Sequence, residues 1–230
     1  MLFSSPPASL PRVTVSPPRQ PRATTRTLVR RELVIGTGLL ALATLGALLF
    51  HIRPSPTPLD VVGFALLPFN YQSGWAHDVT HIGSLPALVI GVVLLFAAGL
   101  PRDWRRAIAC ASAPVVAVLL VEEIAKPLVD RHVNIYGGPS YPSGTVAAAA
   151  ALATAAVLVA PRVLKVPTAL LGTAVVAASC IAVVVLRYHF PTDALGGICT
   201  GAGTVLLVDG LLQLSPARSL RGRPERQLPT

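Results

Sequence analysis

The residues able to do chemistry sit in three short stretches far apart in the chain: EEIAKPLVDRH at 122–132, YPSGTVAAAA at 141–150 and RYHFPTD at 187–193. In the last, His189 and Asp193 are four residues apart around Pro191, a proline suited to the first turn of a helix. A carboxylate so placed accepts a hydrogen bond from one imidazole nitrogen and leaves the other free as a nucleophile. In the middle stretch, Pro142, Ser143 and Gly144 precede an alanine run. Ser143 is placed as an N-cap, and the free amides and dipole of the following helix make a phosphate seat. In the first stretch, Lys126 and Arg131 follow an apolar run and bring two cations within reach of an anion. Glu122 and Lys126 have the i,i+4 spacing of a helical ion pair, which lowers the cost of charge at membrane depth, roughly 2.5–3.5 kcal/mol per unpaired group.

Taken singly, each stretch has an ordinary reading. Pro-Ser-Gly is a common helix start, Lys126 and Arg131 serve as interfacial anchors, and a histidine four residues from an aspartate is a structural pair. Their conjunction on one face makes an anion site with a nucleophile beside it.

The elements that must position these residues are membrane helices. Of the 230 residues, 53% are hydrophobic and 13% charged, with a mean hydropathy of +0.65, too apolar for an ordinary soluble domain. Six runs approach the length of a span, at residues 33–52, 80–99, 107–124, 145–160, 167–186 and 194–214. The predicted fold is therefore all-α, a six-transmembrane-helix bundle over 32–214. The alanine-rich fourth run is expected to pack against neighbours rather than lipid. Pro86 and Pro114 fall inside the second and third spans, where a kink is tolerated if neighbours satisfy the freed backbone groups. PLDVVGFALLPF at 58–69 is too short to cross and reads as interfacial or re-entrant. The 1–31 segment, with six arginines and no acids, reads as a disordered basic cytoplasmic tail, and 215–230 as a second basic tail.

The formal charge is +9, yet 15 of the 19 Lys and Arg lie in the tails and in two loops of one side, 102–106 and 162–165. That asymmetry places both termini in the cytoplasm and the ionisable cluster on the extracytoplasmic face. It also makes nucleic acid a poor partner. Cys110, Cys180 and Cys199 lie in apolar runs without metal-ligand spacing, so no metal is expected.

The order and spacing of these motifs resemble the type-2 phosphatidic acid phosphatase superfamily, which is related to the vanadium haloperoxidases. Its members carry a Lys-x6-Arg-Pro motif, a Pro-Ser-Gly-His motif and a Ser-Arg-x5-His-x3-Asp motif. The resemblance gives Lys126 the place of the first-motif lysine. It aligns Pro142, Ser143 and Gly144 with the second motif, and makes His189 the nucleophile and Asp193 its orienting acid. It implies phosphoryl transfer through a phosphohistidine, with Lys126, Arg131, Arg187, Ser143 and Gly144 holding the phosphoryl oxygens and no cofactor. The chain departs from the pattern at Val133 and Asn134 in place of Arg-Pro, and at Ala182 and Val183 in place of Ser-Arg. Thr145 stands where the superfamily has the histidine that protonates the leaving group. His132, His77 and His81 are candidate substitutes. The implied activity is that of a membrane lipid phosphatase in a bacterial plasma membrane, acting on a phosphorylated lipid or polyprenyl diphosphate. The alternative is a catalytically impaired relative that binds lipid phosphate or serves as a membrane partner. Clustering of the charges at one face, not along a mid-membrane path, speaks against a transporter.

Overall fold

Residues 23–133 and 138–214 are described by a computed structural model of the chain. Their apolar runs fold as helices, which satisfy every backbone group within one segment and so tolerate an environment without water. In order these are α1 (Ala23–Ile52), α2 (Pro58–Leu66), α3 (Gly74–Thr80), α4 (Leu85–Gly99), α5 (Trp104–Leu119), α6 (Lys126–Val129), α7 (Gly144–Val159), α8 (Lys165–Val185) and α9 (Pro191–Leu214). Four stretches are long and apolar enough to cross a membrane: Thr27–Ile52, Trp104–Val129, Arg162–Val185 and Pro191–Leu214. The α3–α4 pair, bent by 56°, is a fifth if counted as one broken span. The chain is a multi-pass membrane protein.

Two expectations change. The second apolar run is not one continuous helix. Ser84 caps a fresh helix by accepting a hydrogen bond from the Ala87 amide, and Pro86 lies in that helix's first turn, where a missing N–H costs nothing. Pro114, by contrast, lies inside α5, which continues through a six-residue π turn, Leu120–Ala125, into α6. At the amino end the helix begins at Ala23, so the expected boundary at residue 31 falls within α1; residues 1–22 and 215–230 lie outside the described residues.

The alanine-rich α7 is apolar but only 16 residues long, shorter than a usual span. It is the centre of the bundle, packed by α4, α5, α8 and α9, with Ala147 to Ala151 all buried. Close approach explains this composition. A Cβ on Gly201 of α9 would strike the Ala147 carbonyl, and one on Gly197 would come within 2.6 Å of the Ser143 carbonyl. Small residues on both helices let the backbones meet where apolar lipid gives little hydrophobic drive. The end of α1, the end of α6, the start of α7 and the α8–α9 turn converge at one end of the bundle, tied by Arg131, His189 and Ser143.

Candidate active site

Arg131 is the hub of that end and is fully buried. A guanidinium has five N–H donors. Here they meet five acceptors: the carbonyls of Pro54 (3.2 Å) and Ser55 (3.4 Å), Thr192 Oγ1 (2.8 Å), Asp193 Oδ1 (2.5 Å) and Asp60 Oδ2 (2.7 Å). The rings of Phe50 and Phe190 cover its two faces at 3.9 and 4.0 Å. No donor remains for a phosphate. Arg131 is thus a scaffold residue rather than the expected phosphate ligand, because its charge is spent on two buried carboxylates.

Asp193 is redirected in the same way. One of its oxygens takes the Arg131 bond and the other accepts the Phe190 amide at 2.9 Å, so it fixes the α8–α9 turn and not the imidazole. The expected His189–Asp193 hydrogen bond is replaced by one from His189 Nδ1 to the Ser140 carbonyl, 2.7 Å. A carbonyl can only accept, so Nδ1 carries the hydrogen and the lone pair is left on Nε2. Burial, with a smaller contribution from the nearby Lys126 charge, pushes the His189 pKa down to about 4. The imidazole is therefore neutral at physiological pH.

Ser143 is buried, and its hydroxyl caps α7 by accepting from the Val146 amide at 3.5 Å; its own amide donates to the Asp193 carbonyl. The cap uses that hydroxyl as an acceptor and leaves its own hydrogen to donate. Gly144 has a different neighbour. A Cβ there would collide with Glu122 Oε1, so only glycine admits that carboxylate to the start of α7. Lys126 Nζ bonds both Glu122 oxygens, at 2.8 and 2.7 Å, which makes the expected i,i+4 pair.

Arg187 adopts a left-handed φ of 56° and gives its donors to the carbonyls of Phe64, Leu67 and Val184 while stacking on the Phe64 ring. With His132, Asp130 and Phe190 it lines a cavity of about 750 Å³. Of the candidate substitute acids, His132 pairs with Asp130 at 2.8 Å and His77 bonds the Tyr71 carbonyl at 2.7 Å. His81 belongs to a 3-10 turn that seats Gly83 directly on Thr145.

Sequence reasoning gave no role to Asp60, Thr192 or Ser140. Asp60 is wholly buried and also accepts from the Thr192 amide and hydroxyl. Burial would raise its pKa, but the amides of Thr57 and Thr192 and the Arg131 guanidinium outweigh that and lower it. A sequence signal existed: Thr57-Pro58-x-Asp60 is a capping box, and Asp60 closes it at the start of α2. Among the described residues, no group of three His, Cys, Asp or Glu side chains is arranged to hold a metal ion.

Residues 121–213 match the family model of the PAP2 superfamily. The fold is similar to the crystal structure of a transmembrane PAP2-type phosphatidylglycerolphosphate phosphatase from Bacillus subtilis, with a TM-score of 0.64 and 20% identity, covering 80% of this chain and 98% of that one. No curated protein matches the sequence.

Proposed function

On the match of residues 121–213 to the PAP2 superfamily model, we propose that the chain is an integral-membrane phosphatase of lipid phosphates or polyprenyl diphosphates that works through a phosphohistidine on His189. The observation that carries this reading is the Nδ1 contact with Ser140, which leaves a neutral, fixed Nε2 lone pair. Nε2 attacks phosphorus, and the Lys126 ammonium and the free amides at the start of α7 hold the phosphoryl oxygens. Water then cleaves the phosphohistidine. Asp193 and Arg131 act through position, holding the turn that carries His189. Arg187 and His132, in the neighbouring cavity, are placed to meet more distal parts of a head group.

A lipid substrate is supported by an apolar cavity of about 250 Å³ between α1, the π turn and α9. Pro142, the neighbour of Ser143, forms part of its wall. The cation distribution supports six passes, counting the bent pair and α7, with both termini cytoplasmic and the site on the outer face of a bacterial plasma membrane. A second reading, a binder of lipid phosphate without turnover, is favoured by Thr145, which cannot serve as an acid.

The test is phosphate release by detergent-purified protein from a panel of lipid phosphates and diphosphates, with His189→Ala alongside. Release that vanishes in His189→Ala is expected. A folded wild type that releases none from any member would sink the phosphatase in favour of the binder.

A further inference from the structure

We propose that Glu122 is the general acid of this site, replacing the proton donor that Thr145 cannot supply. The inference rests on the phosphatase reading. A salt bridge four residues apart on a helix needs no function, but three features set Glu122 apart. Its carboxylate lies against Gly144, at the start of α7, beside the position where the superfamily's histidine would stand. It shares Lys126 with the site, and that lysine's charge reaches His189. It is carried by a six-residue π turn, a widened turn frequently found at functional sites. Its side chain is 40% exposed, so it is open to a ligand.

In the structure Lys126 gives two hydrogen bonds to this carboxylate. A phosphoryl group entering the seat competes for the same lysine and brings negative charge beside Glu122. Two adjacent anions favour uptake of a proton by one of them, so the substrate itself loads the acid. As His189 Nε2 bonds to phosphorus and the bond from phosphorus to the leaving oxygen breaks, the Glu122 carboxyl gives its proton to that oxygen, releasing an alcohol. The resulting carboxylate takes a proton from the water that attacks the phosphohistidine. Its hydroxide adds to phosphorus, the P–N bond breaks, and phosphate leaves with both residues restored.

The experiment compares Glu122→Gln with wild type on a lipid phosphate, whose alkoxide leaving group needs a proton, and on p-nitrophenyl phosphate, whose phenolate needs little. Glu123→Gln, altering the exposed neighbouring acid, is the control. The expected loss is about 10²- to 10⁴-fold on the lipid and less than about tenfold on the aryl ester. Equal losses on both would reduce Glu122 to a residue that positions Lys126, and no loss, or a gain, would make it a mere occupant of the seat. Either result overturns the inference while leaving a His189-dependent phosphatase standing. A wild type inactive on both substrates overturns the inference together with the reading beneath it.

Discussion

Each end of the bundle holds an arginine between carboxylates, and the two clusters differ in what they leave over. At the end away from His189, Arg106 bonds both oxygens of Asp209 at 3.2 and 2.8 Å and lies 3.6 Å from Glu32, while Gln213 donates to Asp103. That cluster joins α1, α5 and α9, and Arg106 remains 26% exposed. At the other end Arg131, Asp60 and Asp193 have no exposed side-chain surface at all. A fully desolvated trio is costly unless every partner is present, and here every guanidinium donor is matched. Its product is a rigid turn from which an uncharged histidine projects. The first cluster staples helices together; the second staples them and holds up the turn whose imidazole keeps its lone pair on Nε2.

The sharpest way to break this comparison is to remove each arginine. Arg131→Leu leaves Asp60 and Asp193 as buried charges without a counterion, and thermal unfolding in detergent should report a loss of about 3–5 kcal/mol. Arg131→Lys should recover little, because a single ammonium cannot span both carboxylates and three further acceptors. Arg106→Leu, at the partly solvated end, should cost only about 1–3 kcal/mol. Its turnover per folded molecule should match wild type. Equal stability losses from the two substitutions would mean that the ends do not differ as described.

The pH dependence sharpens the same contrast. His189 is neutral above its depressed pKa and gains a proton only as pH falls toward about 4. The nucleophile should therefore stay competent at pH 5 to 6, where an ordinary histidine would already be mostly charged. An acid limb of kcat/KM near 6.5 would show that the imidazole is not buried as described. The smallest effect expected is from Ser143→Ala, which removes the α7 cap through a long hydrogen bond and should cost about 0.5–1 kcal/mol in the same unfolding measurement.

What could be read from the sequence was what neighbouring residues decide. Ser143 before an alanine run announces a helix start, Pro191 announces another, and the last three apolar runs give α7, α8 and α9 to within about three residues. What could not be read depends on partners brought from afar. Arg131 finds its carboxylates 62 and 71 residues away, so nothing local tells a phosphate ligand from a scaffold. The same distance hid the Ser140 carbonyl, 49 residues from His189, and made Asp193 look like the imidazole's partner. The break at Ser84 was legible in principle, since a serine two residues before a proline is a capping signal, but the continuous hydropathy across it conceals the boundary. The π turn has no compositional signature.

The central claim is that His189 Nε2 takes the phosphoryl group, and direct trapping tests it. Protein quenched during turnover of a phosphorus-labelled lipid phosphate, then digested at alkaline pH, should carry an acid-labile label on the peptide containing His189 and none in His189→Ala. Steady turnover with that peptide unlabelled, persisting in His189→Ala, would contradict the account.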